Sequence, residues 1–187
     1  MAKIILVSAT PLEHGGLKEI HGLPIFQVGI GKTNAASNMT EILWNEEPDV
    51  VINFGSCGNL KDFKVSEVIE VGTVYNNIDV RPFAEYGCTP ENNECEIKLS
   101  DSGVKCFSTD QIYDNSRIDY ANKYLEMINT CDIVDMECYP LAYVCKQRGI
   151  TFKSYKWVSD DGNVDTWEEN AAIGFENFKE VLSKLLQ

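Results

Sequence analysis

An α/β fold with a largely parallel sheet is what this sequence predicts, and three observations carry the prediction. Short runs rich in Ile and Val alternate along the chain with longer segments whose apolar residues recur at helical spacing. Several of those runs lack polar alternation, as strands buried on both faces do. The 187 residues, 44% of them hydrophobic, suit one domain spanning 1–187 with a real core.

The elements follow in order. Lys3–Ala9 is a continuous apolar run closed by Thr10-Pro11, hence a buried strand. Leu23–Val28 is a second strand, ending in Gly29-Ile30-Gly31. Lys32–Asn45 is helical, with Ala35, Ala36, Met39, Ile42 and Leu43 on one face and Pro48 beyond its end. Asp49–Phe54 is a third buried strand, expected to break at Gly55-Ser56-Cys57-Gly58. Val65–Tyr75 reads as a longer strand, 76–93 as an Asn-, Pro- and Gly-rich loop, and Glu94–Leu99 and Gly103–Phe107 as short strands. Ile118–Met127 is an amphipathic helix, Asp132–Met136 a strand, and Pro140–Arg148 a helix with Gly149 at its end. Ile150–Val158 is a strand that runs into Ser159-Asp160, and Thr166–Leu186 a long helix with the stripe Ala171, Gly174, Phe175, Phe178, Val181, Leu182 and Leu185. No internal repeat or linker interrupts the series.

Composition excludes several classes of function. Sixteen Lys and Arg against 29 Asp and Glu leave a net charge of −13, so phosphate backbones and anionic lipid surfaces should repel the chain. The N-terminal apolar run is too short for a signal peptide, and the uncharged stretch Val50–Leu60 is too short to span a bilayer. Seven cysteines (57, 88, 95, 106, 131, 138 and 145) are an odd number with no CxxC pair, so reduced thiols in a cytoplasmic protein are expected. With only His14 and His21 and no zinc-like spacing, no metal site is expected. Cys138 and Cys145, seven apart, suit core packing.

In α/β sheets ligands gather at the carboxyl ends of the strands. Four such ends stand out: Ala9–Glu13, Gly29–Lys32, Gly55–Gly58 and Ser159–Asp160. Gly29-Ile30-Gly31-Lys32-Thr33 is not a P-loop, because Phe26 stands where the first glycine is required. It is either a plain strand-to-helix turn or a place of close ligand approach, and Gly55–Gly58 leaves the same choice open. Asp135-Met136-Glu137 puts two charges at the end of an apolar strand, which is costly unless the end is exposed or the charges are used. Asp160, emerging from a buried strand, is either a turn or helix cap or a desolvated general acid. Glu13 and His14 fit a surface turn as they stand.

Taken in order, these segments resemble the nucleoside phosphorylase and nucleosidase family, most closely its hydrolytic branch of methylthioadenosine/S-adenosylhomocysteine nucleosidases and futalosine hydrolases. The matching stretches are Ile5–Glu13, Val28–Ala36, Val51–Leu60, Val134–Glu137 and Trp157–Asp160. The resemblance spans nearly the whole chain and is thinnest over 76–130. It implies a three-layer α/β sandwich around a twisted mixed sheet, no cofactor, a small-molecule nucleoside as partner and a homodimer. It also implies roles. Asp160 matches the acid that protonates purine N7, Glu13 the carboxylate that activates water, Glu137 the residue on the ribose hydroxyls and Met136 the one that packs on the sugar. Ser56 and Gly58 fall near sugar and base, Ser159 beside the acid, and Ile112 and Tyr113 in the base-binding segment. Phe83 and Tyr86 are candidates for reaching across a dimer.

The residue types suit that chemistry. A purine leaves readily once N7 is protonated, and the oxocarbenium-like sugar left behind is served by a carboxylate and a water on its other side. Phosphorolysis would instead need a cationic clamp for a dianion, for which Arg is the favoured residue. Family phosphorylases place such Arg residues in the first half of the chain, whereas here no Arg precedes Arg81 and the turn after the first strand carries Glu13, a carboxylate that would repel phosphate but could polarise water, so hydrolysis is expected. Arg81 keeps phosphorolysis as an alternative, and a non-catalytic nucleoside-binding or storage protein is a third. The stretch from Glu13 to Gly29 is shorter than the family pattern, so the first helix and a following strand pair are expected to be cut down.

Overall fold

The computed structural model describes residues 2–92, 94–114, 121–160 and 167–187. Its strands are β1 (Ile4–Ser8), β2 (Glu19–Ile20), β3 (Leu23–Gln27), β4 (Val50–Asn59), β5 (Val68–Asn76), β6 (Glu96–Lys98), β7 (Val104–Ser108), β8 (Ile133–Asp135) and β9 (Thr151–Asp160). Its helices are α1 (Lys32–Glu46), α2 (Asn122–Thr130), α3 (Cys138–Gln147) and α4 (Trp167–Leu185).

Alternation within the buried strands builds two cores. Ile5 and Val7 of β1 and Val51 of β4 face α1 and α3, where they meet Met39, Leu43, Leu141 and Cys145. Leu6, Ile52 and Phe54 face the other way, onto Tyr155, Trp157, Phe175, Phe178 and Leu182 beneath α4. A third cluster joins Phe107 of β7 to Tyr124 and Ile128 of α2. Two helical layers thus enclose the sheet, as expected.

The sheet is mixed: among the described residues five pairings are parallel and four antiparallel. It also closes on itself. β4 pairs with β9, β9 with β5, β5 with β7, β7 with β8, and β8 returns to the end of β4 through Gly58 and Asn59. The circuit gathers the carboxyl ends of β4, β8 and β9 at one rim.

Several expectations need correction. β4 does not stop at Gly55 but runs on to Asn59, because its partner β9 is equally long and supplies ladder bonds throughout. β9 likewise continues to Asp160, and a two-residue β2 pairs with β3 where no strand was expected. The second helix begins at Asn122, after Ala121 in an extended N-cap conformation, and runs on to Thr130 rather than ending at Met127; residues 118–120 of the expected helix lie outside the described residues. The cysteines are not all reduced. Cys88 and Cys95 form a disulfide, brought together by a tight reversal in which Thr89 and Asn92 exchange backbone hydrogen bonds. Counting cysteines for parity cannot see so local a pair. The other five are free and buried, Cys138 and Cys145 packing in the core as expected. None of the described helices is long and apolar enough to cross a membrane.

Candidate active site

At the rim where β4, β8 and β9 end lies a cavity of about 310 Å³, at the small end of ligand sites. All nine residues singled out from the sequence line it: Glu13, Ser56, Gly58, Ile112, Tyr113, Met136, Glu137, Ser159 and Asp160.

Glu13 is not on a surface turn. A single 3-10 turn, Pro11–Glu13, folds it back over β1, and it is 4% exposed. Its Oε2 accepts the N–H groups of Ala9 (2.9 Å) and Thr10 (3.3 Å), and its Oε1 accepts the N–H (2.8 Å) and hydroxyl (3.0 Å) of Ser56. Gly55 makes room for this approach: a Cβ there would stand 2.7 Å from Oε1. The glycine-containing run 55–58 is thus strand rather than turn, and the close contact that Gly55 permits is with Glu13 of the chain itself.

Asp160 owes its aim to a bulge. Cys57 pairs with Val158 but Gly58 pairs with Asp160, so Ser159 is an extra residue in β9. Bulges of this kind re-aim side chains beside functional sites. The Ser159 hydroxyl lies 2.9 Å from Asp160 Oδ2 and 3.1 Å from the Cys57 carbonyl. It carries one proton. Given to Asp160, that proton serves the carboxylate; given to Cys57, it frees an oxygen lone pair to accept from the protonated acid. One serine suits both states of the acid. Asn170 of α4 donates to the Ser159 carbonyl at 2.7 Å and holds the segment down.

Glu137 begins α3. Its Oε1 accepts the N–H of Gly31 at 2.9 Å, which ties it to the turn before α1. Gly31 has φ +86°, a backbone conformation that glycine adopts freely. Burial, with Asp135 beside it, pushes the Glu137 carboxyl up to about 8 against the opposing pull of Lys156.

The sequence reading missed Lys156 and left Asp135 without a partner. Lys156 Nζ meets Asp135 Oδ2 at 2.8 Å, with both side chains about 2% exposed or less. Burial alone would raise the Asp135 carboxyl; Lys156 and its hydrogen-bond donors outweigh that and hold it below the usual carboxylate range. The same partner keeps Lys156 well above the ordinary lysine value despite its burial. Asp135 also accepts from Ser108 Oγ (2.5 Å) and from the N–H groups of Glu137 (3.3 Å) and Cys138 (2.8 Å). The ion pair therefore pins the start of α3, and with it Met136 and Glu137. A signal was available: a lysine between Tyr155 and Trp157 in a strand buried on both faces needs a counter-ion. Cys106, Asp135 and Cys138 have ligand atoms within 4.8 Å of one another, but the Lys156 ammonium already fills the place of a cation there.

His14 is buried too, edge-on to Phe54, and neither ring nitrogen has a hydrogen-bond partner among the described residues. Burial lowers its pKa, partly offset by Glu13. Ile30, 52% exposed, and Ile112, 60% exposed, stand at the mouth of the cavity. Arg81 is on the surface, forked onto Asp79 at 2.5–2.7 Å, and does not line it. Tyr86 is packed locally, its hydroxyl on Asn77, whereas Phe83 is 81% exposed.

A family model described as the phosphorylase superfamily matches residues 92–187, and a 5′-methylthioadenosine/S-adenosylhomocysteine nucleosidase of Exiguobacterium is 30% identical over 177 residues, covering 85% of this chain and 74% of that one. The chain belongs to the phosphorylase superfamily. Two solved structures share its fold: the nucleosidase of the same name from Neisseria meningitidis, in complex with methylthio-immucillin-A (TM-score 0.79, 19% identity, 98% of this chain and 100% of that one), and the futalosine hydrolase of Helicobacter pylori (TM-score 0.80, 18% identity, 98% of each). Both have names that describe hydrolases, and both resemble this chain along nearly its full length.

Proposed function

We propose that the protein hydrolyses the N-glycosidic bond of a purine nucleoside of the methylthioadenosine/S-adenosylhomocysteine type, releasing free base and sugar. One observation carries the reading: Glu13, Glu137 and Asp160 converge on a single small cavity from three different elements. Asp160 protonates N7 of the purine, with Ser159 serving the acid before and after transfer. The base departs neutral and the sugar acquires oxocarbenium character. Glu13 orients the attacking water, accepts its proton, and stabilises the positive charge from the other side. Glu137 holds the ribose hydroxyls, Met136 packs on the sugar, and Ile112 and Tyr113 lie along the base. General acid–base help of this kind supplies about 10²–10⁴-fold per group.

Water is favoured over phosphate because a carboxylate occupies the turn after β1 and Arg81 is engaged by Asp79 away from the cavity. The wild type should release adenine from methylthioadenosine equally fast with and without inorganic phosphate. Asp160→Asn should lose turnover and still bind adenine. Phosphate-dependent release would replace hydrolysis with phosphorolysis. Failure of the wild type on methylthioadenosine, S-adenosylhomocysteine, adenosine, inosine and futalosine would favour a binding protein. A homodimer in the cytoplasm, with the exposed Phe83 at its interface, completes the proposal.

A further inference from the structure

Two successive backbone amides at the start of α1 hold two different carboxylates. Gly31 N–H donates to Glu137 at 2.9 Å, and Lys32 N–H donates to Asp110 Oδ1 at 2.7 Å. Asp110 belongs to the segment that runs on into Gln111, Ile112 and Tyr113, a wall of the cavity. Its Oδ1 lies so close to the turn that a Cβ on Gly31 would stand 3.2 Å from it. The same segment is braced from behind. Thr109 Oγ1 accepts from Asn77 Nδ2 (2.7 Å) and from Gln111 N–H (3.1 Å), while Lys32 Nζ reaches Asn76 Oδ1 at 3.2 Å and the Asn77 carbonyl at 2.5 Å. The residue assigned to the ribose and the wall assigned to the base are therefore fastened to one helix end, through adjacent N–H groups.

We propose that Asp110 is a positioning residue: by capping α1 it locks the wall 111–113 to the turn that holds Glu137, and so sets affinity for the base. This rests on the nucleosidase reading above. Asp110 has no place in the lining and acts through the elements it joins. A wall that meets the base alike in ground state and transition state contributes uniform binding, which appears in KM rather than in kcat.

The test uses three sets of variants. Asp110→Ala removes both the acceptor and the ion pair that Asp110 Oδ2 makes with the Lys32 ammonium at 3.8 Å, whereas Asp110→Asn keeps an acceptor and loses only that half-exposed pair. Lys32→Pro removes only the N–H donor beyond the side chain, since proline suits the first helical position, and Lys32→Met is its side-chain reference. Asp110→Ala should raise KM for the nucleoside and Kd for adenine about tenfold, as loss of a helix cap allows, with kcat changed less than about threefold. Asp110→Asn should stay near wild type. Lys32→Pro, measured against Lys32→Met, should reproduce the loss and add nothing to Asp110→Ala. Unchanged KM and Kd in Asp110→Ala, equal damage from Asp110→Asn, or additive losses would each overturn the proposal. Amide hydrogen exchange on the unliganded protein separates the two readings. Asp110→Ala should speed exchange at Gly31 and across 111–113 together, and faster exchange at Lys32 alone would defeat the coupling. Absence of any turnover in the wild type would defeat the nucleosidase assignment, and the exchange data would still decide the coupling.

Discussion

Glu137 shows at the scale of one residue how a binding site opposes stability. Burial beside Asp135 raises its carboxyl from an ordinary value near 4.5 to about 8. Between those values the folded protein binds more protons than the unfolded chain, so stability falls as pH rises through that window and is lowest above it. Glu137→Gln keeps an oxygen for the Gly31 N–H and removes the ionisation. The variant should be more stable than wild type at about pH 9, by about 1–3 kcal/mol, and the difference should shrink towards about pH 5. Nucleoside affinity should fall at the same time. Thermal melts across that range measure the first effect, and parallel Tm–pH curves for the two proteins would refute it. The residues that line this cavity were marked in the sequence mainly by the family resemblance; their place near strand ends was compatible with a site but left Glu13 on a surface turn and Asp160 as either a cap or an acid. Lys156 was not marked, since a strand pattern shows that a residue is buried but not which distant charge it faces. Its partner Asp135 lies 21 positions away on another strand, and only the sheet brings them within 2.8 Å.

Single elements depend on glycines for two distinct reasons, and one experiment separates them. Gly174 lets α4 lie directly on the Trp157 ring; a Cβ there would stand 2.0 Å from Trp157 Cδ1. Trp157 is fully buried within the stack of Phe54, Phe175 and Phe178 and cannot move aside. Gly149, after α3, has φ +67° with open space around it, so alanine there meets only backbone strain. Gly149→Ala should cost about 1 kcal/mol. Gly174→Ala should cost about 3 kcal/mol or more, because the helix must lift off β9. Urea denaturation of both variants checks the order, and equal losses would show that α4 shifts without cost. At this scale the apolar stripe of α4, with Gly174 in it, was readable from its periodicity. The full lengths of β4 and β9 were not. Gly55–Gly58 looks like a terminator, and only the ladder to β9 reveals that Gly55 serves the approach of Glu13 and Gly58 that of Val134 rather than a turn.

The closed circuit of β4, β9, β5, β7 and β8 belongs to the whole molecule, and local pattern could not give it. Val50 pairs with Thr151 across a hundred positions, and nothing in either segment names the other. Net charge acts at the same scale and is fully legible. With 29 acidic groups against 16 basic ones, self-repulsion opposes the compact state. Salt should relieve it. The exposed ion pairs that salt would weaken, such as Lys146 with Glu94 and Lys3 with Glu46, are worth about 0–1 kcal/mol each. Among the described residues the pair that matters more, Lys156 with Asp135, is buried beyond the reach of screening. Since the screening length shrinks from about 30 Å at 0.01 M to about 3 Å at 1 M, the carboxylates in excess over the basic groups gain most. Tm should therefore rise by several degrees between dilute buffer and about 0.5 M sodium chloride, a range over which the Debye length falls severalfold. A flat or falling Tm would mean that the surface pairs outweigh the excess charge, and that the acidity of the chain is already neutralised where it is densest.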